Sequence, residues 1–100
     1  MTPPIGRRRR LDDDAAAATA IAALGFLAAD PERLSRFLAL SGLGPETLRA
    51  AAGEPSFLAA VLAHLLADES LLHVFAAENG LAPETVGEAH ARLDGGRGGG

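Results

Sequence analysis

The stretch GLGPET at residues 42–47 returns as GLAPET at residues 80–85, and this repetition decides the fold. In both places the glycine suits the left-handed end of one helix, and the proline suits the first turn of the next. When the chain is shifted by 38 residues, positions 26–48 show eleven identities in twenty-three. The sequence therefore predicts a three-helix unit that is used twice.

The same signals divide the rest of the chain. Asp30 and Asp68 are good N-cap residues. The prolines at likely first-turn positions are Pro31, Pro45, Pro55 and Pro83, and the glycines suited to left-handed helix ends are Gly42, Gly53, Gly80 and Gly95. They predict helices at about 13–29, 31–41, 45–52, 55–67, 69–79 and 83–93. No segment alternates polar and β-branched residues, so strands are not expected. The predicted fold is an all-α, compact, pseudo-two-fold bundle of about six short helices, with the fourth in the centre.

The ends of the chain differ in composition from its middle. Residues 1–11 contain the run Arg7–Arg10, and residues 95–100 are five glycines and one arginine, so we expect both to be disordered tails. The helical domain should cover residues 12–94, with copy one at about 13–53 and copy two at about 54–93. That length permits a single domain with its own core.

Composition excludes several classes of protein. The chain has no cysteine, so disulfides and thiolate metal sites are excluded. Residues 12–94 hold thirteen acidic residues and four arginines, a net charge of −9, which argues against general nucleic-acid binding. The uncharged stretch at 15–29 is too short to span a membrane, and no signal peptide is recognisable. We expect a cytoplasmic protein, and the alanine, glycine and arginine content suggests a bacterial source.

Catalytic and metal-binding patterns are missing from the sequence. His64 and Asp68, like Glu69 and His73, are spaced to meet on a helix surface, but neither pair has a third ligand at a familiar metal-site spacing. No serine is followed by the glycine of a nucleophile elbow. We predict no cofactor, no metal and no enzymatic activity; a deep polar pocket around His64 or His73 would reopen the question.

The turn at residues 40–47 offers an alternative function. It is similar to the hairpin of the helix-hairpin-helix motif, in which backbone N–H groups bind a DNA phosphate. Glu46, however, stands where that motif commonly has a lysine, and Ala82 replaces the second glycine in copy two. A helix end followed by a proline-initiated helix explains the turn better.

The two copies differ on one face of their helices. Arginines in copy one correspond to apolar residues or glycine in copy two, so either helix 69–79 is packed on two sides, which we favour, or its apolar residues form an interface. The candidate partner or anion face is Arg33, Arg36 and Arg49. At the equivalent positions of copy two stand Leu71, Val74 and Gly87, and of these Leu71 and Val74 form the candidate apolar interface.

Three segments together resemble a known family. They are Gly25–Leu34, Arg36–Leu43 and Ala52–Leu58. In this combination they are similar to domain-of-unknown-function family 3572, a group of small alphaproteobacterial proteins, over roughly residues 15–93. The resemblance implies a small helical fold and a bacterial origin. It assigns no functional residue and implies no activity.

These observations favour a non-enzymatic protein-interaction or adaptor module. Its partner would be another protein rather than nucleic acid or a membrane, and the chain itself would be a monomer or homodimer. The alternative is a helix-hairpin-helix-like DNA-binding protein. It is supported by the turn at 40–47 and the three nearby arginines. An enzyme of another type is the third possibility.

Overall fold

A computed structural model describes residues 12–51 and 53–98. Every regular element in these ranges is an α-helix and no residue in them lies in a strand, so the predicted all-α class is confirmed. The predicted basic tail at residues 1–11 lies outside the described residues. The helices are α1 (Asp13–Ala28), α2 (Pro31–Ser41), α3 (Pro45–Ala51), α4 (Pro55–Leu66), α5 (Glu69–Glu78) and α6 (Pro83–Gly98).

Aspartates begin three of these helices. The Asp12 carboxylate accepts a hydrogen bond from the Ala15 N–H at 2.8 Å. Asp30 accepts from the Glu32 N–H at 3.0 Å, and Asp68 accepts from the Leu71 N–H at 3.1 Å. Each bond satisfies a backbone donor that the first helical turn leaves unpaired. The prediction that Asp30 and Asp68 are N-caps is confirmed.

Glycine ends α2 and follows α5 in the left-handed conformation. Gly42 has φ 78° and Gly80 has φ 64°, and among the described residues no other has a positive φ. The predicted left-handed end at Gly53 is therefore wrong. The end of α6 also differs, because this helix continues to Gly98 rather than stopping near residue 93. Once a helix exists, each further residue adds one backbone hydrogen bond, and no left-handed glycine interrupts this one.

Helix α4 lies at the centre, as the sequence predicted. It packs against α1, α2, α5 and α6, and it buries six side chains over its 12 residues. Small and branched side chains dominate the part of the core that α1, α4 and α6 share. The residues of these three helices with no exposed surface are Ala16, Ala20, Ala23, Leu27, Val61, Leu62, Leu65, Val86 and Ala89. Among the described residues no polar or charged side chain is buried.

Aromatic rings connect the first half of the chain to the second. Phe26 and Phe75 meet edge to face with centroids 5.4 Å apart. Phe37 meets Phe57 at 5.9 Å and His64 at 5.2 Å, also edge to face. Such geometry adds stabilisation beyond the burial of area. These contacts hold α2 and α5 against the central helices and position the surface between them.

Candidate functional site

An open groove runs between the first turns of α2 and α5, above the C-terminal half of α4. Its volume is 650 Å³. One wall is polar and comes from α2, the other comes from α5, and α4 contributes His64. We call this surface the α2–α5 groove. Its lining residues are Asp30, Pro31, Glu32, Arg33, Ser35, Arg36, His64, Asp68 and Leu71.

Arg33 is packed rather than free in solvent. Its guanidinium lies 4.5 Å from the centre of the Phe26 ring, and its Nε lies 3.6 Å from Asp30 Oδ2. The ring attracts the cation through its quadrupole and the carboxylate attracts it through its charge. Arg33 therefore forms a fixed part of the groove wall.

Arg36 lies one turn further along α2 and is exposed. It forms no salt bridge with an acidic residue in the described part of the chain, although Glu32 and His64 line the groove with it. Its guanidinium is thus available to a ligand. The side chain of Arg49, the third member of the predicted basic face, lies outside the described residues.

His64 carries the titratable chemistry of the groove. The pKa of its imidazole is lowered, and the main cause is partial burial. The charge of Asp68 raises this pKa, and the charge of Arg36 lowers it. Its ring lies edge to face against Phe37. At neutral pH His64 is therefore uncharged, and Arg33 and Arg36 supply the positive charge of the groove.

The two residues of the predicted apolar interface lie in different environments. Leu71 is half-buried, packs against the core and lines the α2–α5 groove. Val74 is 39% exposed on the next turn of α5. The favoured prediction that this helix is packed on two sides is therefore wrong at Val74, because α5 buries only the side that carries Leu72, Phe75 and Ala76.

The turn between α2 and α3 is built as a helix end. The Gly42 N–H donates to the Leu38 carbonyl at 2.9 Å, and the Leu43 N–H donates to Ser41 Oγ at 3.4 Å. The Glu46 side chain folds back over Gly44, where a methyl group on that glycine would lie 3.4 Å from Glu46 Oε2. A carboxylate in this position repels a phosphate, so the turn gives no support to the DNA-binding alternative.

A second concave surface lies where α1 and α4 begin and α6 passes. It has a volume of 580 Å³ and an apolar floor, and Arg92 Nε lies 2.8 Å from Asp13 Oδ1 on its rim. We call it the acidic cleft. Its lining residues are Asp13, Asp14, Ala17, Gly53, Glu54, Pro55, Ser56, Leu58, Arg92 and Leu93.

Residues 12–51 and 53–98 contain no metal-binding cluster and no single membrane-spanning helix. No group of three or more histidine, aspartate or glutamate residues in these ranges is placed to hold a metal ion. Glu69 and His73 form the predicted surface pair, with 3.9 Å between Oε2 and Nε2. In the same ranges no single helix is long and apolar enough to cross a bilayer; α4 and α5 pass that test only together, and they are bent by 109° at their junction.

Comparison with known proteins adds one relationship. The family described as protein of unknown function (DUF3572) matches residues 13–96. The chain belongs to this family. The predicted resemblance is thereby confirmed, and the match extends from the start of α1 through most of α6. No curated protein and no solved structure matches the chain at a significant level.

For this DUF3572 member, the sequence indicated Arg33, Arg36 and Leu71 as candidate site residues. It did not predict that they lie in one groove together with His64. The sequence predicted that His64 lies on a helix surface with Asp68, whereas the ring packs against Phe37 and is partly buried in the α2–α5 groove. One feature of the sequence did indicate this burial. With the chain shifted by 38 residues, His64 aligns with Phe26, and a phenylalanine position is expected to face the core. The acidic cleft was missed altogether, because it depends on how three helices meet.

Proposed function

We propose that this protein is a non-enzymatic interaction module that binds another protein through the α2–α5 groove. The observation that carries the proposal is the meeting of two candidate surfaces that are far apart in sequence. Arg33 and Arg36 form one wall, and Leu71 lies on the opposite wall. Cytoplasmic location and a monomeric or dimeric state belong to the same proposal.

The chemistry of the groove favours a protein ligand. Apolar Leu71 and exposed Val74 can take up an aliphatic side chain, while Arg36 can pair with a carboxylate. Asp30 and Asp68 are already used as helix caps, and Asp30 also neutralises Arg33. Among the groove cations, this leaves Arg36 as the one without a salt-bridge partner in the described part of the chain.

We also propose that the groove arose by duplication of one three-helix unit. Two ring contacts support this origin: the 38-residue offset converts Phe26–Phe75 into His64–Phe37, and both pairs meet edge to face at nearly the same distance. Reciprocal contacts of this kind are typical of a two-fold arrangement. The third helices have diverged, since α3 has 7 residues and α6 has 16.

The interaction is tested by photo-cross-linking in the native host. A photoreactive amino acid replaces Ser35, which is exposed in the groove, and in a matched strain it replaces Ala91, which is exposed on α6. We expect a discrete adduct from position 35 alone. The adduct must disappear with Arg36→Glu and with Leu71→Asp, because these changes alter the two walls without removing the cross-linker.

Two results would contradict the proposal. Equal labelling from positions 35 and 91 would show that the groove has no preferred partner. An adduct that survives both substitutions would place the partner elsewhere. Binding of duplex DNA at low salt that is lost with Arg33→Gln and Arg36→Gln would favour the DNA-binding alternative instead, since phosphate contacts are strongly salt-dependent.

A further inference from the structure

The acidic cleft is a concave surface whose rim holds carboxylates without an ion-pair partner among the described residues. Its floor is apolar and includes Leu58 and Leu93. Of the carboxylates on its rim, Asp13 is paired with Arg92. Asp14 and Glu54 form no ion pair or side-chain hydrogen bond with other described residues, and Glu54 precedes α4 without capping it through its side chain.

The sign of the field in the cleft follows from comparing charges. The N-termini of α1 and α4 point toward it, and each contributes roughly half a positive charge. The rim carries three carboxylates and one arginine, and the domain from residue 12 to residue 94 has a net charge of −9. Full negative charges outweigh the two helix ends, so the cleft attracts cations.

We propose that the acidic cleft binds the chain's own Arg7–Arg10 segment. This segment precedes Asp12 by two to five residues, and Asp12 caps the helix whose first turn forms the rim. At about 3.3–3.6 Å per residue, the four arginines can reach the cleft without moving any helix. The covalent connection gives them a local concentration on the order of millimolar, which a separate basic peptide must exceed.

Arginine suits both parts of this surface. Its aliphatic stem can cover Leu58 and Leu93, and its guanidinium can pair with Asp14 or Glu54. The cleft shares no lining residue with the α2–α5 groove, so this inference is independent of the proposed function. When bound, the tail neutralises the rim and covers the apolar floor.

The test uses the absence of lysine from the chain. The substitution R9K introduces the first side-chain amine into the full-length protein. A carbodiimide then joins this amine to a touching carboxylate as an amide, with loss of water, and peptide mass spectrometry locates the bond. We expect coupling to Glu54, which is distant in sequence, and far less coupling to exposed Glu32 and Glu78.

A matched variant separates attraction from tethering. In R7Q/R8Q/R9K/R10Q the tail has the same length but three charges fewer, so coupling to Glu54 should fall roughly fivefold, as expected for the loss of several weak surface ion pairs. Added salt should have a similar effect on R9K. Circular dichroism checks that both variants keep the helical content of the parent.

Four outcomes would overturn the proposal. The first is coupling to Glu54 that does not exceed coupling to Glu32 and Glu78, and the second is coupling that is unchanged in the glutamine variant. In a mixture of ¹⁵N-labelled and unlabelled protein, bonds found only between molecules would assign the cleft to a second copy. Protection of Glu54 by an added arginine peptide, without any coupling of the chain's own tail, would assign it to a foreign segment.

Discussion

Two ring contacts have the same geometry but different chemistry. One joins Phe26 to Phe75, and the other joins His64 to Phe37. Both are edge to face, with centroids 5.4 Å and 5.2 Å apart. In the first, Arg33 covers the outer face of an apolar pair. In the second, a titratable ring borders the α2–α5 groove. The comparison teaches that one contact geometry serves two kinds of pair, since one pair is wholly apolar and the other includes a titratable ring at the groove.

The largest loss of stability is expected from removing one of the buried rings of these contacts. Phe75 is 0% exposed and Phe37 is 2% exposed. Phe75→Ala and Phe37→Ala should each lower the free energy of unfolding by about 3–5 kcal/mol, because each leaves a cavity in the core. Urea denaturation followed by circular dichroism measures both. A loss below about 1 kcal/mol at either site would show that the two ring contacts are not equivalent anchors.

The two left-handed glycines provide the next comparison. At Gly42 and Gly80 a methyl group would meet no atom within 4 Å, so the cost of alanine comes from the backbone alone. Gly42→Ala and Gly80→Ala should therefore destabilise the protein equally, by about 1–2 kcal/mol. Gly53→Ala is the control: it also has open space but no positive φ, and it should be neutral or slightly stabilising. A marked difference between Gly42 and Gly80 in thermal unfolding would contradict this account.

Removal of the two aspartate caps should lower the free energy of unfolding by slightly different amounts. Asp68→Ala removes one cap and should cost about 1 kcal/mol. Asp30→Ala removes a cap and also the carboxylate beside Arg33, so it should cost a few tenths of a kcal/mol more. Chemical denaturation of the two variants in parallel gives the difference. If the order is reversed, the ion pair of Arg33 contributes nothing to stability.

The smallest effect concerns the titration of His64. Because burial lowers its pKa in the folded state, the unfolded chain binds the proton more readily. Stability should be fully present above the ordinary histidine pKa of about 6.5 and should decline as the pH falls from there through the lowered value. His64→Phe, which makes the two ring contacts alike, should flatten this decline. Unfolding curves measured from pH 5 to pH 8 decide the point.

Much of the fold could be predicted because its local signals agree. Asp30, Asp68, Gly42 and Gly80 all have the roles that their residue types favour. The end of α6 could not be predicted, since glycine disfavours a helix without forbidding it. At the candidate site, Arg33, Arg36 and Leu71 could be named from the difference between copies. Their meeting in one groove follows from helix packing angles, which residue spacing does not specify.

The walls of the α2–α5 groove come from helices that lie on opposite sides of the centre of the sequence. A ligand that touches both walls binds only when these helices are docked, and it loses its site when they separate. Binding is then linked to folding: at a free concentration one hundred times its Kd, such a ligand adds about 2.7 kcal/mol to the free energy of unfolding. The melting temperature thus reports whether a candidate ligand binds across both walls of the groove.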